Sequence, residues 1–197
     1  MKITEETVEK INIDKDFIDV DFKLSIGPKE GWIKIEGDIN ECDYGCIGKL
    51  ELVQFNFFKV NYAWIDLIDE VNDDTLATLK PIIDAKNCDY SGEFLDILDG
   101  EYPSSVIEIQ RLFIDLEFRG NNLLGGILRI IQTLNDSPIV LTPCPLQHAN
   151  GEDNLRVMGR NKKAKRSDFK NDFQKLCKHY EKHGFKRIKK SKTWVLP

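Results

Sequence analysis

The stretch from Val106 to Leu134 constrains the fold more tightly than any other part of this chain. It opens with Val106-Ile-Glu-Ile-Gln-Arg-Leu-Phe-Ile114, a β-branched and aliphatic run that predicts a strand. A polar turn containing Arg119, Gly120, Asn121 and Asn122 follows. Residues 123–134 then carry Leu124, Ile127, Leu128, Ile131 and Leu134 at helical spacing, the apolar face of an amphipathic helix. Pro138-Ile-Val-Leu-Thr142 comes next as a buried strand, which completes a strand–helix–strand unit. A turn that feeds a helix start offers unpaired backbone N–H groups and the positive end of the helix dipole, together a site for phosphate or pyrophosphate. This turn lacks the Gly-Lys-Ser/Thr ending of a Walker loop, and it is not a dinucleotide fingerprint.

Upstream, residues 17–26 alternate apolar and polar side chains up to Gly27-Pro28, as do residues 32–36 and 47–60. These predict three half-buried strands in an antiparallel meander. Between residues 62 and 86 the period changes: Trp64, Ile65, Ile68 and Val71, then Leu76, Leu79, Ile82 and Ile83, predict a helix pair with Pro81 near its end. Residues 87–105 are turn-rich and acidic, with an apolar patch at Phe94–Leu98. Beyond the 138–142 strand, residues 146–166 read as a long polar and basic loop. Ser167 caps a helix whose Phe169, Phe173, Leu176, Cys177 and Tyr180 form one stripe, stopped by Gly184. Lys186–Ile188 and Thr193–Leu196 suggest a closing hairpin. The order β-β-β-α-α-β-α-β-α-β-β is mixed α/β. No repeat or linker divides it, so residues 1–197 are expected to form a single domain with halves 1–105 and 106–197.

Composition narrows the classes. With 41% hydrophobic residues evenly spread over 197 positions, the chain is not disordered. No apolar run approaches the roughly 18 residues of a membrane span. The acidic N-terminus does not read as a secretory signal, and five scattered cysteines read as reduced thiols, so a cytoplasmic location is expected. Charge is divided: residues 1–110 hold ten lysines and no arginine against 25 acids, whereas residues 156–192 hold 15 basic and 3 acidic residues. Such a split describes either two solvated faces of opposite sign, or an anionic ligand on the second half and a cationic one near the first.

At the 112–128 segment the sequence resembles the GNAT superfamily of N-acetyltransferases, whose core motif runs strand, acidic-aromatic, Arg/Gln-x-x-Gly-x-Gly/Ala, helix. Glu117-Phe118-Arg119-Gly120 matches its opening, and Tyr180-Glu-Lys-His-Gly-Phe185 is similar to the family's Tyr-x-x-x-Gly-Phe at the end of its last helix. Residues 140–147 resemble a Pro-x-Pro-Leu-Gln segment of uncharacterised bacterial and fungal members. The resemblance covers residues 106–197, and the family's early helix pair is displaced to residues 62–86. It implies a GNAT-like α/β (mixed α+β) fold, with a central mixed, mostly antiparallel sheet flanked by helices. It further implies acetyl-CoA as co-substrate, no metal, and acetyl transfer to a primary amine in a ternary complex. By the same resemblance, the backbone of Leu112, Phe113 and Ile114 holds the pantetheine arm, and the turn of Arg119, Gly120, Asn121, Asn122, Leu123, Leu124 and Gly125 cradles the pyrophosphate. Tyr180 protonates the departing thiolate, and Glu108 lies where some members carry a catalytic base. The motif's later glycines fall on Asn122 and Leu124, with Gly125 and Gly126 directly after.

Each residue also has a plainer reading. Glu108 is either a solvated strand residue or a base facing a cleft. Tyr180 is either an acid or a core aromatic of its helix stripe. The run Arg160-Asn-Lys-Lys-Ala-Lys-Arg166 reads as a solvated loop, a grip for the 3′-phosphate of coenzyme A, or a nucleic-acid contact. Cys144 and His148 read as loop residues near a substrate cleft. Cys42, Cys46, His148, His179 and His183 lack zinc spacing, so no metal site is expected. The acceptor implied by the acidic half is a small cationic amine or a protein lysine. The alternative is a non-catalytic binding or regulatory protein of the same fold, in which Leu124 blocks the cofactor. A pI of 5.3 and the lack of nucleic-acid motifs speak against a nucleic-acid partner, and the oligomeric state stays open, a homodimer among the options.

Overall fold

The computed structural model describes residues 18–26, 31–59, 64–134, 136–145 and 169–197. The expected turn at Gly27-Pro28, the cap at Ser167 and the basic loop 146–166 lie outside the described residues. Strands β1 (Ile18–Ile26), β2 (Trp32–Glu41) and β3 (Gly45–Phe55) form the expected antiparallel meander. The β2–β3 turn is locked by Glu41, whose carboxylate accepts from the backbone N–H of Asp43 (2.8 Å) and Tyr44 (3.1 Å). β2 runs beyond Glu36 because its later residues pair with β1 on one side and β3 on the other. β3 stops at Phe55, short of Val60, because Phe57 leaves the strand in a short 3-10 turn and buries its ring on Trp64, centroids 4.7 Å apart.

Helices α1 (Trp64–Asp69) and α2 (Asp73–Leu79) follow. Asn72 caps α2, its Oδ1 accepting from the Thr75 N–H at 2.8 Å. Pro81 sits in the 3-10 turn after α2, where its missing N–H is tolerated. A small hairpin pairs β4 (Ile83–Asp84) with β5 (Asp89–Tyr90). The acidic stretch after it is more ordered than its turn-rich composition suggests: residues Gly92–Ile97 form α3, capped by Ser91 and anchored by the fully buried Phe94. The second half matches its periodicity closely, with β6 (Val106–Ile114), α4 (Leu124–Leu134), β7 (Ile139–Leu141), α5 (Phe169–Lys182), β8 (Lys186–Arg187) and β9 (Trp194–Leu196).

The sheet is mixed and mostly antiparallel, with order β1-β2-β3-β6-β7-β9-β8 and one parallel pair, β6 with β7, among the described strands. Helices cover both faces, giving two apolar cores. On one face Ile35, Leu50, Leu52, Ile107 and Ile109 pack against Leu124, Ile127, Leu128 and Ile131 of α4 and Tyr180 of α5. On the other, Val53, Phe55, Val106 and Val140 pack against α1, α2 and α3 through Trp64, Leu67, Leu79 and Phe94. Burying each large side chain contributes roughly 1.5–3 kcal/mol. No described helix is long and apolar enough to cross a membrane.

Candidate active site

The site begins where the sheet comes apart. β6 and β7 pair only at Ile107↔Ile139 and Glu108↔Val140, and β7 ends at Leu141 while β6 continues to Ile114. The opposite edge of β6 stays paired with β3, but its register shifts: Leu52 faces Ile109 and Glu51 faces Arg111, leaving Gln110 as the extra residue of a bulge. The bulge re-aims the strand. Before it, Ile107 and Ile109 face the α4 core; after it, Leu112 and Ile114 do. Gln110 turns instead towards α2, its Nε2 donating to Thr75 Oγ1 at 2.7 Å.

Beyond the split lies a cleft of about 900 Å³, within the size range of small-molecule sites. Leu112, Phe113 and Ile114 form its floor, and Arg119, Gly120, Asn122, Leu123 and Leu124 its end. The far wall is α5, which presents Lys175, His179, Tyr180 and Lys182, with Asp172 among them. The turn from β6 to α4 is bent by two left-handed residues, Gly120 at φ +92° and Asn122 at φ +57°. Asparagine tolerates that conformation, so the departure from glycine at this position is accommodated. The helical ladder opens with Ile127 N–H bonding Leu123 O at 3.0 Å, so the first N–H groups of α4 have no partner within the helix.

Arg119 is held in place beside this turn. Its Nε donates to the Ile114 carbonyl at 2.7 Å, and its guanidinium lies 5.6 Å over the Phe113 ring. Burial lowers its pKa, opposed by the nearby Asp115 carboxylate. Leu124 is 7% exposed; it packs into the α4 core and also borders the cleft. Asn121 turns its amide back onto the Phe118 carbonyl (2.8 Å), and Gly125 faces the His183 ring rather than the cleft. The expected turn is thus one continuous structure, but Asn121 and Gly125 do not line the cleft.

Tyr180 is 9% exposed and borders the cleft, its ring edge-on to Phe185 at 5.2 Å. Burial pushes its phenol up to about 12, reinforced by the thiols of Cys177 and Cys144. A phenol so shifted stays protonated at neutral pH. Tyr180 is therefore both a core aromatic and a cleft residue.

Glu108 is found neither in solvent nor on the cleft. It is 2% exposed, buried beneath α2 on the opposite face of the sheet. The reason is local: with no bulge before it, strand alternation turns Glu108 away from Ile107 and Ile109. Burial raises its pKa, countered by hydrogen bonds from Thr75, Gln110 and Thr78, with the Asp74 charge raising it slightly further. α2 straddles the split here. Thr75 reaches Gln110 on β6, while the Thr78 hydroxyl lies 3.1 Å from that of Thr142, just past β7. Composition did not single out this hydroxyl shell, because threonine carries no functional signature until the fold turns it inward. Lys175, His179 and Lys182 were not singled out in the sequence either. Their i, i+4, i+7 spacing places them on one side of α5, beside rather than on the apolar stripe that bears Tyr180, and that spacing is the signal that could have found them.

Cys144 follows β7; burial and the Asp74 charge raise its thiol pKa, with Lys192 opposing. His148 and the basic run 160–166 lie outside the described residues. Among the described residues the one grouping of potential metal ligands is Glu41, Cys42 and Asp43, and Glu41 is already engaged by the β2–β3 turn. His179 and His183 stack edge-on at 4.9 Å, and burial lowers the pKa of both. Compared against family models, curated proteins and solved structures, the chain matches none of them.

Proposed function

We propose that this protein is an acetyl-CoA-dependent N-acetyltransferase of the GNAT type, acting on a cationic primary amine. The observation that carries the reading is the cleft at the β6–β7 split. It joins a strand edge that β7 leaves unpaired beyond Glu108 among the described residues, a left-handed turn feeding a helix start, and the Tyr180 phenol in one cavity. A long, thin, phosphate-rich thioester suits that combination. An amide-bearing arm can lie along Leu112–Ile114, and the first-turn N–H groups of α4 with Arg119 suit a pyrophosphate. Lys175 and Lys182 on the far wall add positive charge.

In this reading the amine nitrogen attacks the thioester carbonyl, forming the C–N bond, and the C–S bond then breaks. The ammonium first gives up a proton to solvent, and after the C–N bond forms the nitrogen loses a second. Tyr180 supplies a proton to the departing thiolate, and Glu108, buried on the opposite face of the sheet, is not placed to act as the base. Substrate binding contributes by holding both reactants in one cleft.

The test is a calorimetric titration with acetyl-CoA, followed by thiol release with polyamines, aminoglycosides and lysine peptides as acceptors. Saturable binding and amine-dependent thiol release are expected. Binding without turnover across the panel would favour a non-catalytic binding protein, and no binding at millimolar ligand would end the acetyl-CoA reading.

A further inference from the structure

The two outer strands of the sheet are built differently. β8 closes one side with two exposed basic residues, Lys186 and Arg187, too short and too charged to recruit a further strand. β1 closes the other with nine residues, paired to β2 without a bulge from Ile18↔Glu41 to Ile26↔Ile33. Among the described residues nothing pairs with its outer edge. The Val20 N–H is taken by the carboxylate of its own neighbour, Asp19 Oδ1 at 2.8 Å, which marks the even-numbered residues as those whose backbone groups face that edge.

The side chains of β1 divide by face. Ile18, Val20 and Phe22 pack into the α4 core, and Leu24 and Ile26 continue the same row past its end. Leu24 is 64% exposed there. Asp19, Asp21, Lys23 and Ser25 point to the other face, all of them exposed. Asp21 stands opposite Asp38 of β2, a like-charge pair softened by the Asn40 amide, which donates to Asp21 Oδ2 at 2.8 Å.

A second copy of β1 can be laid antiparallel along this edge in few two-fold registers. A centre between residues sets the apolar row against the polar one. A centre on Asp21 or on Lys23 sets that charge against its own copy, and a centre on Val20 sets Asp19 against Asp21. A centre on Phe22 does neither, and it overlaps the whole nine-residue strand. It sets Ile18 against Ile26 and Val20 against Leu24, so the stranded end of the apolar row gains partners. On the other face it sets Asp21 against Lys23, twice by symmetry.

We propose that β1 is the contact between two copies of this chain, joined antiparallel about a two-fold axis at Phe22 into one continuous sheet. The Val20 N–H then exchanges its local bond for the Leu24 carbonyl of the second copy. β1 lies three places from β6 in the sheet, so the cleft's strands are untouched and the proposal does not rest on the acetyl-CoA reading. A contact made by one strand edge is small, and a dissociation constant in the micromolar range is expected.

The experiment is sedimentation velocity of the full chain up to about 300 μM, where a dimer is expected. Asp21→Lys and Lys23→Asp, both at exposed positions, each set like charges face to face and are expected to raise the dissociation constant at least about tenfold. Mixing the two variants in equal amounts is expected to restore the dimer, because one then carries lysine and the other aspartate at both facing positions. Circular dichroism unchanged from the wild type keeps loss of the dimer apart from loss of the fold. A wild-type chain that stays monomeric overturns the proposal and leaves the edge to a segment outside the described residues or to another protein. A dimer that both variants leave intact overturns it by moving the contact elsewhere. Variants that dissociate singly but do not pair on mixing overturn this register.

Discussion

The two faces of the sheet solve different problems with the same strands. Under α1, α2 and α3 the packing is aromatic and closed: Phe57 stacks on Phe55 and Trp64, and Tyr90 meets Trp64 and Phe94 with ring centroids 5.1 Å away in each case. Under α4 and α5 the packing is aliphatic, and it opens into a cleft as soon as β7 ends. The closed face nevertheless holds the one buried glutamate of β6, satisfied by hydroxyls and an amide. The difference teaches that the aromatic face supplies rigidity and a dry carboxylate, while the aliphatic face supplies the room for a ligand.

The largest expected effect sharpens that division. Tyr180→Phe keeps the ring against Phe185 and removes only the proton donor, so turnover is expected to fall by about 10²–10⁴ with acetyl-CoA affinity nearly unchanged. Steady-state kinetics beside calorimetric binding check this, and a fully active variant would return Tyr180 to a packing role. Next come the cores themselves. Phe57→Ala on the closed face is expected to cost about 3–5 kcal/mol in denaturant unfolding and leave ligand affinity intact. Leu124→Ala is expected to cost about 2–5 kcal/mol and also to change acetyl-CoA affinity, because its side chain belongs to core and cleft alike. Equal binding effects from the two substitutions would break the distinction between the faces.

A smaller effect is expected from pH. The folded-state pKa of Glu108 is raised from its ordinary 4.5. At low pH it is protonated in folded and unfolded chains alike and has no influence on their balance. As pH rises past 4.5 the unfolded chain ionises first, so folding loses stability until the raised folded value is passed. Glu108→Gln is therefore expected to melt higher than the wild type above that window and to match it in acid. A variant that melts lower at every pH would mean that the carboxylate is needed for packing. The smallest effect concerns the acidic half, with ten lysines against 25 acids in residues 1–110. Exposed charges are screened over about 8 Å at physiological salt, so the apparent affinity for a cationic acceptor is expected to weaken as ionic strength rises. Salt-independent affinity would reduce the charge split to surface solvation.

Legibility followed range. β6 and α4 were readable because their signals are local: a nine-residue β-branched strand and an apolar stripe on an 11-residue helix. The closing hairpin was readable for the same reason. α3 was missed because six residues of mixed polarity carry no clear period, and what makes them helical is the Ser91 cap and the burial of Phe94. The end of β3 was misread because Phe57 and Phe58 extend the strand pattern, whereas only contact with Trp64 shows that the first has left it. For the candidate site, Arg119, Gly120, Asn122 and Tyr180 were visible as a turn and a helix stripe, but the environment of Glu108 was not.

The sequence by itself determined the mixed α/β character, the meander, the strand–turn–helix unit and the division of charge. Each of these rests on periodicity or composition within one segment. Only the tertiary structure decided that β6 carries a bulge at Gln110, that β7 ends early enough to open a cleft, and that α2 covers Glu108. These are relations between segments far apart in the chain. Their energies come from strand pairing, burial and desolvation, which no single segment can express until the others are in place.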